Sequence, residues 1–270
     1  MSNHLFWNFR RSRRLAVVVF ALFAIACGGG KKNVIPSNSQ PDRYLMDRAN
    51  EAVGKKEWLK AREYFRQVVD NYPGSPLRPD AKLGIGDTFL NEGGTENYVL
   101  GANEFREFLT FYPTNPRADY AQFKLGMAHF RQMRLPQRDQ TETRAALREF
   151  DTFIARYPGS SLMAEAKARQ RETRDRLSEA DYQVGYFYYR QRWYPGAIDR
   201  FKQVLKDDPG FTGRDSVYFY LAESLVKVKK EAEALPYLEK LVQEFEKSEH
   251  LVLAQKLITD LKAQVLKPAT

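Results

Sequence analysis

The 270-residue sequence is poor in the side chains that perform chemistry. It has one cysteine, Cys27, so no disulfide can form within the chain and packing must hold the fold. It has three histidines, His4, His129 and His250, each isolated; His129 falls where a packed or hydrogen-bonded ring is expected. No H-E-x-x-H, P-loop or G-x-S-x-G motif occurs, and Gly84-Ile85-Gly86 lacks the third glycine and the preceding strand of a nucleotide loop. Carboxylates alternate with Lys and Arg, as on solvated helix faces. These gaps argue against an enzyme, a cofactor or a metal centre. There is no basic block either. The formal net charge of +9 includes Arg10, Arg11, Arg13 and Arg14 near the N-terminus, and acidic residues intersperse thereafter, so no nucleic-acid partner is expected. Alternating β-type runs are few, while Ala, Leu, Arg, Glu and Gln abound, which points to an all-α chain.

What is present begins at the N-terminus. The four arginines precede an unbroken apolar run, Leu15 to Ala26, and the first acidic residue is Asp42. Twelve residues are too few to span a bilayer, which takes ~20. A basic start, a short apolar core and small residues before a cut make a secretory signal peptide over 1–26. Ala24-Ile25-Ala26 fits an ordinary A-x-A site and also resembles a lipobox; both cut before Cys27. The sole thiol stands at the one residue a lipobox requires, so Cys27 is expected to be lipidated, and its acyl chains would supply stable anchoring. A free thiol at a soluble N-terminus is the alternative. Gly28, rather than aspartate, follows the cysteine, which resembles lipoproteins sent to the outer membrane of Gram-negative bacteria. Residues 27–41 form the lipidated N-terminus and a flexible tether rich in Gly, Ser, Asn and Pro.

Four later stretches share an ending: "EYFRQVVDNYPGS", "NEFREFLTFYPTN", "REFDTFIARYPGS" and "DRFKQVLKDDPGF". Phe65, Phe105, Phe150 and Phe201 are each followed, eight residues on, by Pro73, Pro113, Pro158 and Pro209. An apolar anchor followed by a breaker ends a helix, and the tetratricopeptide pattern is a helix–turn–helix of that kind. Val184, Gly185, Tyr188, Ala197, Phe201 and Pro209 keep its order and spacing. The expected fold is a superhelical array of about five such repeats: 42–160 for repeats one to three and 192–270 for the rest of repeat four, repeat five and a C-terminal helix. The second repeat carries added residues between its helices around "NEGGTENY", and the third carries more through "MRLPQRDQT". From Ser161 to Gln191 there is no proline and one glycine, which predicts a single long helix over 161–191 linking repeats three and four.

The helical stretch "YFYYR" (Tyr186–Arg190) places large rings on several faces. Tyr186 and Tyr189 fall on the face that lines the groove of a repeat array, with Met127, Phe130 and Arg131 at the equivalent places in repeat three. They are either inter-repeat packing or the wall of a peptide groove.

A cleaved lipoprotein signal and five degenerate repeats resemble the BamD family of the outer-membrane β-barrel assembly machinery. The most specific likenesses are "NPRADYAQFKLG" (115–126), "RDQTETRAALREF" (138–150) and "RDRLSEADYQVGYFYYRQRWYPGAIDRF" (174–201). The resemblance implies a non-enzymatic scaffold, lipid-anchored in the inner leaflet of the outer membrane at its periplasmic face. Its partners would be a POTRA domain of BamA, unfolded outer-membrane proteins or their C-terminal strands, and other assembly lipoproteins. It implies that Arg200 meets an acidic residue of the POTRA domain, with Arg190 and Trp193 nearby, and that Asp119 and Tyr120 frame a client pocket. The rival reading is another exported tetratricopeptide lipoprotein serving pilus assembly, secretion or cell division. The insertion before "RDQTETRAALREF" separates the two, because generic repeats lack it.

Overall fold

The computed structural model describes residues 40–265; the expected signal peptide, Cys27 and nearly all of the tether lie outside them. The described residues form helices joined by turns: α1 (Pro41–Gly54), α2 (Trp58–Asn71), α3 (Arg78–Glu92), α4 (Thr95–Phe111), α5 (Ala118–Phe130), α6 (Thr141–Arg156), α7 (Met163–Arg190), α8 (Tyr194–Asp207), α9 (Arg214–Lys227), α10 (Glu231–Glu244) and α11 (Leu251–Val265). From α2 onward each helix packs on the next, the contact pattern of a repeat array. The fold is all-α and built of tetratricopeptide-like repeats.

The Phe–Pro pairs explain where the second helix of each repeat stops. Tyr72, Tyr112, Tyr157 and Asp208 each precede a proline and leave helical geometry, with φ between −126° and −138° and ψ between 52° and 80°. A following proline disfavours helical geometry at the residue before it, so the helix stops there. Phe245 ends α10 with φ −131° and ψ 69° although no proline follows. The anchoring phenylalanines are buried and find glycines opposite them. A β-carbon on Gly86 would lie 2.7 Å from Phe105, one on Gly126 2.8 Å from Phe150 and one on Gly185 2.7 Å from Phe201. Small residues on one helix therefore seat the rings of its partner, and close packing does the rest.

The second repeat differs from expectation. Its turn is only Gly93-Gly94, both at positive φ, and "TENY" opens α4, so the added residues lengthen helices rather than a loop. The third insertion is a true loop. Its shape comes from Gln140, a buried side chain whose Nε2 donates to the carbonyls of Leu135 (2.8 Å) and Arg138 (2.9 Å) while its Oε1 accepts from Thr143 (2.8 Å). His129 sits against the start of α6, its Nδ1 2.7 Å from Glu142.

The long helix is α7, 28 residues, or about 42 Å at 1.5 Å per residue. Its first half lies along α6, where Asp151 meets Gln170 (2.5 Å) and Arg174 (3.5 Å). Its second half lies along α8, with Gly185 against Phe201. At the C-terminal end of α8, the buried Asp208 receives the fork of Arg171, with Nη1–Oδ1 at 3.0 Å and Nη2 on Oδ2, and Ser178 donates to the same carboxylate at 2.6 Å. One helix thus belongs to two repeats. No helix among the described residues is long and apolar enough to cross a membrane.

Candidate protein-docking surface

The α7–α8 hairpin turns without a glycine. Arg192 takes φ +60°, and the Trp193 N–H reaches back to the Tyr188 carbonyl at 2.9 Å. Lys56 (φ +58°) and Lys229 (φ +60°) close the equivalent turns of the first and fifth repeats with the same bond, Glu57 N–H to Ala52 and Lys230 N–H to Leu225, each 2.9 Å. These are αL helix ends satisfying terminal carbonyls, a position at which glycine is usual. At Trp193 the turn has a further effect. It sets the indole edge-on to Tyr188, centroids 4.7 Å apart, and across Gly196, where a β-carbon would lie 2.6 Å from the ring. The ring is positioned on both sides yet remains 55% exposed.

Phe187, 57% exposed, and Val184, 39% exposed, continue the same edge, three residues apart on α7. Phe187 touches Tyr188 (5.9 Å), so Val184, Phe187, Tyr188 and Trp193 form an apolar ridge at the end of the long helix. Beside it stands Arg200. Its β-carbon is 3.3 Å from the position of a Gly185 β-carbon, its guanidinium is exposed, and no carboxylate among the described residues lies within 4 Å of it. Asp181, one turn before Gly185, has its carboxyl raised above the ordinary value, first by desolvation and then by the charge of Asp207, while Arg144 and Arg200 pull it down. An exposed Trp and Phe beside an uncommitted Arg is the composition of an interface anchor.

The other residues singled out in the sequence are placed as follows. Arg190 is exposed and lies over the Tyr186 ring (5.9 Å). Tyr186 and Tyr189 are half-buried and stack on each other at 6.0 Å, and both contact Tyr220 of the next repeat at 4.9 Å. Burial first, then Tyr186, pushes the Tyr220 hydroxyl up to about 12, and Tyr189 donates to Glu223 at 2.6 Å. Inter-repeat packing thus uses much of this aromatic row. Met127 and Phe130 pack on the cluster of Phe123, Phe150 and Phe153, and Arg131 donates to the Leu90 carbonyl (2.6 Å). Asp119 and Tyr120 are neighbours that turn to different repeats: Asp119 accepts from Ser160 (2.6 Å), whereas Tyr120 donates to Asp87 (2.8 Å). The structure brings together Trp193 and Tyr188, and Tyr186, Tyr189 and Arg190; it keeps the groups on α5 apart from them. Sequence reasoning missed Phe187 and the exposure of Val184. Among the described residues no group of three or more His, Cys, Asp or Glu could hold a metal ion.

The family model described as outer membrane lipoprotein, YfiO, matches residues 38–222, which include the whole α7–α8 hairpin. The chain belongs to this family. Its α9–α10 region also matches a tetratricopeptide repeat model over residues 216–248. Relatives of this YfiO chain include the outer membrane protein assembly factor BamD of Caulobacter vibrioides, 26% identical over 219 residues, covering 81% of this chain and 71% of that protein. The BamD of Xylella fastidiosa is 24% identical over 208 residues, covering 72% and 70%. That of Rickettsia prowazekii is 22% identical over 233 residues, covering 85% and 91%. The BamD resemblance drawn from the sequence is thereby established.

Proposed function

We propose that this YfiO-family chain is a non-enzymatic scaffold of outer-membrane β-barrel assembly, held at the periplasmic face of the outer membrane by lipid on Cys27. Its α7–α8 hairpin docks on a POTRA domain of BamA. The observation that carries the reading is the ridge of Val184, Phe187 and Trp193 beside the unpaired, exposed Arg200. A ring held from both sides loses little freedom on binding, which is how a preorganised anchor gains affinity. An arginine with no carboxylate partner among the described residues offers its planar fork to a carboxylate. Receipt of unfolded outer-membrane clients belongs to the same proposal; Asp119, Tyr120, Met127, Phe130, Arg131, Tyr186 and Tyr189 are its candidate contacts, the two tyrosines keeping partly exposed rings. Other assembly lipoproteins would complete the complex.

Two experiments test this. Tagged chain is purified from solubilised envelopes and probed for BamA. BamA should co-elute with wild type and be lost with Phe187→Ser/Trp193→Ser; secretion or division proteins in its place would support the rival exported lipoprotein. Cells fed a clickable fatty acid should label wild type and not Cys27→Ser. An unlabelled wild type removes the anchor from the proposal.

A further inference from the structure

We infer that docking has two charged prongs: Arg144 on α6 is a second anchor, and the acidic protein surface that receives Arg200 carries a further carboxylate for Arg144. This rests on the docking reading above.

The geometry comes from helix register. Asp151 of α6 meets Gln170 and Arg174 of α7, and the two helices run antiparallel. Arg144 stands seven residues before Asp151, and Asp181 stands seven residues after Arg174. Each is two turns from the contact on the same face of its helix, so Arg144 and Asp181 lie at one level. One turn beyond Asp181, Gly185 touches the base of Arg200 on α8. Three successive helices thus line up Arg144, Asp181 and Arg200, and Asp181 feels both arginines.

Several arginines of the array have acidic partners: Arg62 with Glu92, Arg117 with Asp80, Arg171 with Asp208 and Arg214 with Glu244. Arg144 is exposed and has none within 4 Å among the described residues. The carboxylates near it in the sequence are engaged elsewhere, Glu142 with His129 (2.7 Å), Glu149 with Gln122 (2.7 Å) and Asp139 with Thr141 (2.9 Å), which leaves Asp181 as the acid that feels its charge. Among the described residues Arg144 and Arg200 are therefore left without close ion-pair partners on either side of one aspartate. Exposed Asp181 and Asp207 intersperse on this face. A uniformly anionic lipid surface would repel them, whereas a protein surface with both signs can match the pattern. This mixed charge pattern fits a protein with two spaced carboxylates better than lipid headgroups.

The test is the affinity of the mature lipoprotein in detergent for purified BamA of the same bacterium. Arg144→Glu should weaken binding about tenfold or more and flatten its salt dependence, with an unchanged thermal melt. A charge reversal on BamA that rescues Arg144→Glu but not Arg200→Glu would identify the second carboxylate. If Arg144→Glu binds like wild type while Arg200→Glu fails, the second prong is wrong and the docking reading stands. If both bind like wild type, the docking reading itself fails. If phosphatidylglycerol–detergent micelles displace BamA from wild type but not from Arg144→Glu, Arg144 reads lipid and the inference is overturned.

Discussion

The Trp193 ring stands edge-on to Tyr188, 4.7 Å between centroids, because the Trp193 N–H is bonded to the Tyr188 carbonyl across an αL turn. Backbone geometry, not side-chain burial, aims this exposed ring. Gly196 completes the seat. Gly196→Ala should place a methyl 2.6 Å from the indole and swing it away. Because the ring is exposed, the stability change should stay within about 1 kcal/mol, partly offset by the better helix propensity of alanine. Pull-down should show weakened BamA retention with a nearly unchanged melting curve; full retention would remove the aimed ring from the docking argument.

Gly185→Ala should behave in the opposite way. Its methyl would meet Phe201, which is fully buried, at 2.7 Å, and the Arg200 β-carbon at 3.3 Å. Overpacking of that kind costs about 1–3 kcal/mol and should tilt α8 with its arginine. Gly54→Ala is the control, since nothing lies within 4 Å of its would-be β-carbon. Urea unfolding of the two variants decides the matter, and equal midpoints would contradict the packing described.

Phenylalanine followed by proline marked four of the repeats because the ring anchors the helix and the proline stops it, and the proline-free stretch marked the long helix; the fifth repeat closes at Phe245 without a proline. The identity of the exposed ring was not legible. Tyr186, Phe187, Tyr188 and Tyr189 are consecutive, about 100° apart around the helix, so aromatic residues occupy nearly every face. Which face meets water is fixed by how α8 and α9 pack, and that put Phe187 outside while Tyr186 and Tyr189 met Tyr220. Asp119 and Tyr120 read as a pair because they are adjacent, yet neighbouring residues on a helix point apart. The second repeat's extra residues looked like a loop because of Gly93-Gly94; two glycines suffice for the turn, and the rest continue the helix.

Asp208 should set part of the acid stability. Burial alone would raise its carboxyl, but hydrogen bonds from Arg171 and Ser178, with the Arg171 charge, outweigh it and hold it below the ordinary range. A carboxyl depressed in the folded state contributes stability that is present above the unfolded value, about 3.9, and lost as pH falls through the folded value. Asp208→Asn should cost about 2 kcal/mol near neutrality, the figure being kept low because Arg171 is one-third exposed. The gap between variant and wild type in urea should close as the pH drops below that range. A gap that persists unchanged in acid would contradict the assignment.

Arg174 stands in mid-α7, where its 3.5 Å pair with Asp151 is exposed and worth little. Arg174→Pro should nonetheless cost about 3 kcal/mol or more by breaking the helix that two repeats share. Arg174→Ala should leave stability nearly unchanged. Thermal melts followed by circular dichroism should show a lowered or split transition for the proline variant alone.

The central claim is that Arg200, exposed and unpaired beside the Trp193 ridge, meets a carboxylate of BamA. The most direct measurement is the affinity of Arg200→Glu for BamA, read together with its helicity. Opposed like charges in a partly desolvated contact should weaken binding by two orders of magnitude or so, with helicity unchanged and binding restored by an acid-to-base change on BamA. Normal helicity with wild-type affinity would contradict the account and return Arg200 to an ordinary surface charge.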